Sequence, residues 1–536
     1  MSSTDLADLV AEAADASPDR LAVVESGGRA VTWRELETDV ARCATGLGRM
    51  GVLAGHRVMI AVGNRLELVT SHLGVLRAQA VSVPVNPRST ADELARMIAD
   101  SGSRLVVADA GSLPAVRSAV ATVEAALDGD ASLLDADLVS RAVRPRVVAV
   151  GEDRGPGEIG FDDLVSGESR PVPPLQDPEK LAALLYTSGT SGRPRAAMLT
   201  HRALLANIEQ VARVEPPMIH GDDVVLGVLP LFHVYGLNAV LGGVLRHRAK
   251  LLLVEEWDPV AVLDLVEDEA CSVLPVAPPV FAHWLPLDNL AERLGPVRLV
   301  LSGSAPLAPE VVEAFAAATS IPVHQGYGLT EAAPVVTSTL CSESWQAGSV
   351  GAALPGIELR LVDGTGRVLT GEDPGEIQVR GDNLFSGYWP DGADGPDAEG
   401  WWSTGDVGFL DPTGDLFLVD RVKELVIVSG FNVYPTEVEE VLREVPGVAD
   451  AAVIGVQDPD TGEAVVAYVV ADPAHATDGR DALASAVAEH AAARLARFKQ
   501  PTRIEVVDEL PLTVTGKVQK GRLRGLERRR ALGLLE

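Results

Sequence analysis

Short apolar runs alternate along the chain with segments in which apolar residues recur every three or four positions. The runs LAVVE (21–25), RVMIAV (57–62) and VRLVLSG (297–303) are typical of buried strands. The segment DELARMIADSG (92–102) is typical of an amphipathic helix that stops at a glycine. Strands that alternate with helices in this way predict a layered α/β architecture.

The pattern changes twice towards the carboxyl end. From about residue 348, GEIQVRG (375–381) and GDLFLVDR (414–421) predict short strands joined by turns, and hence a β-rich subdomain. After residue 421, VEEVLREVPG (438–447) and DAAVIGV (450–456) predict a compact unit of helices and strands, about 110 residues long, the size of a small domain. Residues 128–177 have weak periodicity and many Gly, Pro and acidic residues, which predicts a surface excursion.

Composition excludes several classes of protein. The chain has 536 residues and a formal charge of -31, which disfavours a nucleic-acid partner. Cys43, Cys271 and Cys341 are far apart and lack metal-ligand spacing, so we expect reduced thiols and no disulfide scaffold. The acidic segment 1–20 predicts an amphipathic helix rather than a signal peptide, and we expect a cytoplasmic protein.

Two stretches bear on membranes and anions. Residues 224–245 contain no Asp, Glu, Lys or Arg, but Pro230, His233 and Asn238 interrupt them, which favours a buried strand, loop and helix beside a pocket over a membrane span. Residues 517–530 hold seven Lys or Arg and one acid, which is typical either of a solvated terminal helix or of an anion-binding patch. Transient contact with a membrane surface stays open.

Several motifs combine small, hydroxyl and charged residues at the ends of predicted strands. The loop 186–195 (YTSGTSGRPR) has the glycines and hydroxyls that cradle phosphate groups, without the ending of a Walker loop. SGSAP (302–306) and QGYGLTE (325–331) each follow a strand, where open α/β sheets form ligand crevices. Tyr327 can lie against a flat base, Glu331 can coordinate Mg²⁺, and the carboxylate of Asp406 can accept two ribose hydroxyls.

Taken in order, these motifs resemble the adenylate-forming superfamily of acyl-CoA ligases, aryl-CoA ligases, luciferases and peptide-synthetase adenylation domains. VTWREL (31–36), VPVNP (83–87), GEIQVRG (375–381) and GYW (387–389) add to the match, which spans nearly the whole chain. The resemblance implies an AMP-binding domain of residues 1–420, built from two α/β layers and a distorted β-barrel. It also implies a hinge at 421–425 and a mobile α+β domain at 426–536.

The resemblance further implies ATP, Mg²⁺ and CoA as cofactors and assigns the site residues. It gives catalytic roles to Lys517, Glu331, Thr330 and His233, with Glu331 as the metal ligand and Lys423 as the hinge. It assigns ATP and AMP binding to Thr187, Ser188, Gly189, Thr190, Ser191, Gly192, Ser304, Ala305, Pro306, Gln325, Gly326, Tyr327, Gly328, Asp406 and Arg421. It assigns CoA binding to Ser429, Gly430, Phe431, Asn432, Phe498 and Lys499. The acyl pocket is expected at His233, Val234, Tyr235, Leu237, Ser302, Gly303, Ala332 and Val335.

The implied reaction has two halves. A carboxylate attacks the α-phosphorus of MgATP to give acyl-AMP and pyrophosphate, while Lys517 and Mg²⁺ stabilise the charge on the phosphate oxygens. Rotation at Lys423 then withdraws Lys517, and a thiol attacks the mixed anhydride. The chain departs from the family pattern at Arg195 and Ala196, where most members have Lys and Gly. We expect an altered ATP affinity from this change rather than inactivity.

The predicted pocket wall indicates the kind of acid. His233 stands where amino-acid-activating relatives carry Asp, and residues 325–340 contain no Lys or Arg to pair with a second carboxylate. We therefore expect a monocarboxylic acid with a hydrocarbon body, a medium-chain or long-chain fatty acid. The alternatives are an aryl or cinnamate-type CoA ligase, an acyl-AMP ligase that loads a carrier protein, and a silent sensor of nucleotide or acyl-AMP. The chain is expected to be a monomer or a homodimer.

Overall fold

The computed structural model describes residues 4–130, 132–151, 153–187, 195–305, 307–344, 346–369, 373–421, 424–428, 431–458, 461–472, 479–513 and 516–531. Some predicted site residues therefore lie outside the described residues, namely Ser188, Gly189, Thr190, Ser191, Gly192, Pro306, Lys423, Ser429 and Gly430. For Arg421, Phe431 and Asn432 only the backbone is described.

The α-helices of the described residues include two that overlap the segments predicted as helical at 1–20 and 92–102. The α-helices are α1 (Asp8–Ala16), α2 (Trp33–Arg49), α3 (Leu66–Arg77), α4 (Ala91–Ser101), α5 (Leu113–Leu127), α6 (Ala136–Arg141), α7 (Phe161–Leu164), α8 (His201–Ala212), α9 (Gly243–His247), α10 (Pro259–Asp268), α11 (Pro279–Trp284), α12 (Leu290–Arg293), α13 (Pro309–Thr319), α14 (Pro435–Arg443), α15 (Arg480–Arg494) and α16 (Lys520–Ala531). A π-helix, Tyr235–Gly242, runs directly into α9. Short 3₁₀ turns occur at Thr330–Ala332, Thr339–Cys341 and Arg497–Lys499.

The strands of the described residues pair into four sheets. They are β1 (Leu21–Glu25), β2 (Ala30–Thr32), β3 (Arg57–Ala61), β4 (Val81–Pro84), β5 (Leu105–Ala108), β6 (Arg146–Ala149), β7 (Ile159–Gly160), β8 (Leu181–Thr187), β9 (Arg195–Thr200), β10 (Val224–Gly227), β11 (Lys250–Leu253), β12 (Val273–Val276), β13 (Leu299–Ser302), β14 (Val323–Gly328), β15 (Val335–Ser338), β16 (Ala352–Ala353), β17 (Glu358–Val362), β18 (Gly375–Arg380), β19 (Trp402–Leu410), β20 (Leu416–Arg421), β21 (Val426–Val428), β22 (Phe431–Val433), β23 (Val448–Asp458), β24 (Gly462–Ala471) and β25 (Arg503–Val507).

Two large sheets form the layers of the N-terminal domain. One has nine strands in the order β16-β15-β14-β13-β12-β10-β11-β1-β2, and the other has seven in the order β7-β6-β5-β3-β4-β8-β9. A single apolar core joins them, because side chains of α3 and α8 pack between strands of both sheets. A four-stranded antiparallel sheet, β17-β18-β19-β20, follows in the chain, and the C-terminal domain is built on a five-stranded sheet. The predicted α/β class with a large and a small domain is confirmed.

Local sequence signals account for several helix boundaries. Thr32 and Thr90 each accept a hydrogen bond from the backbone N–H of a glutamate three residues later, and that glutamate side chain accepts a hydrogen bond from the threonine N–H. This reciprocal capping box satisfies two N–H groups that a helix start otherwise leaves unpaired. Helix α4 ends at Gly102, whose φ of 59° lies in the left-handed region that glycine adopts without strain.

Two segments test the sequence interpretation directly. The uncharged stretch 224–245 is a strand, a loop, a π-helix and the start of α9, as predicted, and no helix within the described ranges is long and apolar enough to cross a bilayer. The stretch 128–177 differs from the prediction, because β6 pairs in parallel with β5 inside the seven-stranded sheet. The four residues of β6 are too short a run to show a period, and only their pairing with β5 identifies them as a strand.

Candidate active site

A cleft lies at the carboxyl ends of β12, β13 and β14, on the side of the nine-stranded sheet that the π-helix covers. It encloses about 830 Å³, including its opening to solvent. Strand β13 ends at Ser302 and β14 runs through Gln325–Gly328, so the two strand-end motifs meet at this edge of the sheet. The predicted residues that line the cleft are His233, Val234, Tyr235, Ser302, Gly303, Ser304, Gln325, Gly326, Tyr327, Gly328 and Val335.

Two of the residues predicted for the acyl pocket lie elsewhere. Leu237 and Ala332 are 2% and 0% exposed and belong to the apolar core rather than to the cleft lining. On the π-helix, Tyr235 faces the cleft and Leu237 faces the core. The sequence places both residues in one apolar segment, and the turn of the helix separates them.

The loop that carries His233 is held by a distant side chain. Asn64 donates from Nδ2 to the carbonyl of Leu229 over 2.9 Å and accepts at Oδ1 from the N–H of Leu231 over 2.9 Å. The backbone N–H of Tyr235 donates to His233 Nδ1 over 3.4 Å, so the other ring nitrogen, Nε2, carries the proton in the neutral ring. Burial lowers the pKa of His233 below its usual range, and the ring is neutral at pH 7.

Glycines form the walls of the cleft where backbones meet closely. A Cβ on Gly326 would lie 2.7 Å from the carbonyl oxygen of Thr337, and one on Gly328 would lie 2.3 Å from that of Pro334. A Cβ on Gly303 would lie 2.8 Å from Cε1 of Tyr235, so the tyrosine ring packs directly on the backbone there. Any side chain at these three positions would displace backbone or the ring.

Two buried serine hydroxyls at the end of β13 fit a ligand with polar atoms. Within the part of the chain that the structure describes, the Oγ atoms of Ser302 and Ser304 have no hydrogen-bond partner, although both are buried from solvent. Ser304 also has a φ of 75°, an uncommon value for a residue with a side chain. Buried polar groups are normally satisfied, and strained backbone is concentrated at ligand sites. This end of the cleft therefore offers two hydroxyls to the polar atoms of a ligand.

Tyr327 connects the cleft to the four-stranded sheet. Its phenol donates a 2.6 Å hydrogen bond to Oδ2 of Asp406, which lies on β19 and is 9% exposed. The Cα atoms of Asp406 and Arg421 are register partners on β19 and β20. The structure thus brings together the residues that sequence analysis assigned to adenine and ribose, from three separate motifs.

Glu331 follows Thr330 in a short 3₁₀ turn just beyond β14 and is 8% exposed. The phenol of Tyr388 donates to its Oε1 over 2.5 Å, and the N–H of Phe385 donates to its backbone carbonyl over 2.9 Å. A buried carboxylate beside a nucleotide site is a chemically suitable ligand for Mg²⁺. Thr187, at the end of β8, donates from Oγ1 to the carbonyl of Arg195 over 3.3 Å.

The loop before α16 reaches the same edge of the nine-stranded sheet. A Cβ on Gly516 would lie 2.7 Å from Cγ of Pro279, which begins α11 just after β12. Thr513 and Lys517 bond to each other, because Thr513 donates its N–H to the Lys517 carbonyl over 2.8 Å and accepts at Oγ1 from the Lys517 N–H over 3.0 Å. Elsewhere in the C-terminal domain, Lys499 pairs with Glu437 at 2.5 Å and lies 5.8 Å from the ring centroid of Phe498.

The inner part of the cleft consists of residues that sequence reasoning missed. Val273, the first residue of β12, lines this inner part of the cleft. Met218 also lines it, and the Arg298 guanidinium donates to the Met218 carbonyl over 3.0 Å, at the edge of the sheet opposite the cleft opening. Val276 of β12 is the register partner of Ser302, and Val273 lies at the other end of the same strand. At about 3.3 Å per residue, Val273 is therefore about 10 Å deeper in the cleft than Ser302. The missed lining residues are Val211, Met218, Ile219, Ala239, Val240, Val273, Pro275, Leu301, His324, Leu329, Pro334, Thr337 and Ser338.

Apolar side chains dominate the inner part of the cleft. Among the described residues that line it, none is Asp, Glu, Lys or Arg, and the inner end is formed by Val211, Met218 and Ile219. A second carboxylate or an ammonium on the substrate would therefore be desolvated without a charged partner. The lining accommodates a hydrocarbon body attached to a single carboxylate.

Comparison with known proteins agrees with this geometry. The family model of the AMP-binding enzymes matches residues 10–389, and the model of the AMP-binding enzyme C-terminal domain matches residues 437–517. A 4-coumarate–CoA ligase-like protein and a 4-coumarate–CoA ligase, both from Oryza sativa, are 34% and 33% identical to the chain. These alignments cover 96% and 93% of this chain and 92% and 87% of the relatives.

Solved structures show the same architecture. ATP-bound MatB from Rhodopseudomonas palustris has a TM-score of 0.84 and 32% identity, over 97% of this chain and 99% of that one. The Mycobacterium tuberculosis fatty acyl CoA synthetase has a TM-score of 0.74 and 27% identity, over 98% of both chains. The chain therefore belongs to the AMP-binding enzymes, in the adenylate-forming superfamily of acyl- and aryl-CoA ligases.

Proposed function

We propose that this acid–CoA ligase acts on fatty acids of medium or long chain, using ATP, Mg²⁺ and CoA as its family does. The observation that carries the proposal is the inner cleft, which is apolar from Val335 to Val211, Met218 and Ile219. Its depth of about 10 Å accommodates an extended chain of about eight carbons beyond the carboxylate end. A longer chain extends towards the small cavity between α8 and α9, which Val211, Met218 and Ile219 also line.

In the first half-reaction, one carboxylate oxygen of the acid attacks the α-phosphorus of ATP, and pyrophosphate leaves. The hydroxyls of Ser302 and Ser304 and the Tyr327–Asp406 pair support a nucleotide pose at the polar end of the cleft. Neutral His233 presents Nε2–H as a donor where the acid carboxylate would enter. Mg²⁺ supplies charge neutralisation for the phosphates, and we assign its protein ligand to Glu331.

In the second half-reaction, the CoA sulfur attacks the acyl carbonyl carbon of the acyl-AMP and AMP leaves. We assign Lys517 to the first half and the hinge at Lys423 to the change between halves. The position of Gly516 against Pro279 supports the first assignment, because it brings the Lys517 loop to the edge of the sheet where the cleft opens. The roles of Phe498 and Lys499 in CoA binding stay proposals on the family pattern.

A second candidate substrate class is the arylpropenoic acids. Its support is that relatives of 33% identity are named 4-coumarate–CoA ligases, and that the flat ring of Tyr235 packs on Gly303 beside the cleft. At the inner end, Val211, Met218 and Ile219 offer a para-hydroxyl group no hydrogen-bonding side chain. The small cavity beyond them is also lined by Asn238, whose Oδ1 has no hydrogen-bond partner among the described residues and could accept from such a hydroxyl.

Pyrophosphate release with MgATP tests the proposal across alkanoic acids of graded length, cinnamic, 4-coumaric and benzoic acids, each with and without CoA. We expect a burst without CoA and steady turnover with it, strongest for alkanoic acids near eight carbons or longer. Turnover confined to aryl acids would replace the fatty-acid assignment with the second candidate. A burst that CoA does not convert to turnover would indicate a carrier-protein acceptor.

A further inference from the structure

We propose that Arg195 and Tyr388 are positioning residues that fix the carboxylate of Glu331 for the metal bound to ATP. The inference deepens the proposed function at its nucleotide end and does not depend on which acid is activated. It arises at the point where the chain departs from the family pattern, since Arg195 replaces the usual lysine.

The first contact joins Tyr388 to Glu331. The phenol donates to Oε1 over 2.5 Å, and Phe385, three residues earlier, donates its N–H to the Glu331 carbonyl over 2.9 Å. Both the side chain and the backbone of the glutamate are thus held by one segment, 385–388. A hydrogen bond to a buried carboxylate is charge-assisted and fixes the orientation of that carboxylate.

The second contact joins Arg195 to the ring of Tyr388. The guanidinium carbon lies 3.8 Å from the ring centroid, and Nη2 pairs with Oδ2 of Asp394 at 2.7 Å. A cation on the face of a phenol is attracted by the ring, and it makes the hydroxyl a stronger donor. An ionised carboxylate only accepts hydrogen bonds, so the phenol of Tyr388 is the donor in its contact with Glu331.

The backbone connects both contacts to the strand that leaves the phosphate loop. Arg195 is the first residue of β9, and the N–H of Trp389 donates to the carbonyl of Ala196 over 2.9 Å. The N–H of Met198 donates to the carbonyl of Gly387 over 3.0 Å. Segment 385–394 therefore packs along β9, and Arg195 joins the strand to the metal ligand through a single aromatic ring.

The test compares Tyr388→Phe with Tyr468→Phe, which removes a similar buried phenol–carboxylate bond, to Glu527, in the C-terminal domain. Mn²⁺ binding to the protein–ATP complex is followed by electron paramagnetic resonance, and ATP binding without metal is followed by calorimetry. For Tyr388→Phe we expect Mn²⁺ affinity to fall about fivefold or more, with metal-free ATP affinity changed less than about twofold. Tyr468→Phe leaves both affinities unchanged.

Arg195→Met and Arg195→Lys give a second, milder test. The Met variant removes the cation from the ring and is expected to lower Mn²⁺ affinity by about two- to threefold, and Lys restores part of that loss. Unchanged Mn²⁺ affinity in Tyr388→Phe would overturn the proposal. Equal loss of ATP affinity with and without metal would also overturn it, because that result indicates a general structural role. Neither outcome depends on the acid substrate, so failure here is distinct from failure of the fatty-acid assignment.

Discussion

The phenol of Tyr327 donates a 2.6 Å hydrogen bond to Asp406, and this bond joins the nine-stranded sheet to the four-stranded sheet across 79 residues of sequence. Tyr327 is 7% exposed and Asp406 is 9% exposed, so the bond lies at the buried side of the nucleotide end of the cleft. One residue thus both borders the cleft and orients the carboxylate assigned to ribose.

Tyr327→Phe is expected to raise the KM for ATP about threefold to tenfold, because the ring remains while the orientation of Asp406 is lost. Asp406→Asn is expected to raise it further, since the proposed ribose acceptor itself is weakened. Steady-state pyrophosphate release at varied ATP measures both. A larger effect of Tyr327→Phe than of Asp406→Asn would contradict the proposed order of roles.

Gly516→Ala is expected to slow acyl-AMP formation about tenfold or more. The residue has a φ of 81°, and the new Cβ would lie 2.7 Å from Pro279, so the loop that carries Lys517 must move away from α11. Conversion of supplied acyl-AMP and CoA to thioester is expected to change little, because Lys517 is assigned to the first half-reaction.

Gly479→Ala is the matched control for this prediction. Its φ of 83° gives the same backbone strain, but no heavy atom of the described residues lies within 4 Å of the added Cβ. If Gly479→Ala slows acyl-AMP formation as much as Gly516→Ala does, strain alone explains the effect. The contact with Pro279 then has no part in catalysis.

Ala239→Leu is expected to shorten the acids that the enzyme accepts. Ala239 lines both the cleft and the small cavity beyond it, and the additional carbon atoms of the leucine side chain would occupy the inner end. We expect kcat/KM for an eight-carbon acid to fall about tenfold or more, with butyrate little affected. Ala291→Leu, on the exposed side of α12, serves as the control. An equal loss for short and long acids would contradict this placement of the hydrocarbon.

Asp5→Asn is expected to stabilise the protein, and increasingly so as the pH rises. Asp5 is 3% exposed, and burial raises its pKa from 3.8 to about 7. The folded state therefore holds a proton that the unfolded state releases between pH 3.8 and 7. The free energy of unfolding of the wild type therefore falls as the pH rises through that window. An asparagine at position 5 does not ionise, so the variant does not lose this stability.

Thermal unfolding at pH 5 and pH 8 measures the difference. The advantage of Asp5→Asn in unfolding free energy is expected to grow by about 2 kcal/mol between the two values. Asp15→Asn, at an exposed position of α1, the helix that follows Asp5, provides the control. An advantage that does not change with pH would show that Asp5 keeps its ordinary pKa.

Sequence alone determined the features that depend on neighbouring residues. The end of α4 at Gly102 was predicted from its own segment, and the strand-end motifs at Ser302 and Gln325–Gly328 predicted the edge of the sheet where the cleft opens. These signals are local, because a cap or a parallel strand end needs only its own segment to be recognised.

Tertiary structure alone decided the inner cleft. Met218 and Val273 have the same apolar character as core residues, and nothing in their neighbours distinguishes a cleft wall from an interior contact. The same difficulty explains why Leu237 was assigned to the pocket although it lies in the core. Burial depends on which elements pack together, which a periodic pattern does not specify.

The partner of Glu331 likewise depended on the fold. Tyr388 is 57 residues after Glu331 in the chain, and Arg195, which contacts the ring of Tyr388, comes earlier in the chain than Glu331. Sequence predicted that Glu331 and Arg195 belong to nucleotide motifs, but the packing of segment 385–394 on β9 determined that one tyrosine joins them. Contacts between distant segments form only when the sheets are assembled, so the residues that orient the metal ligand could be identified only from the folded chain.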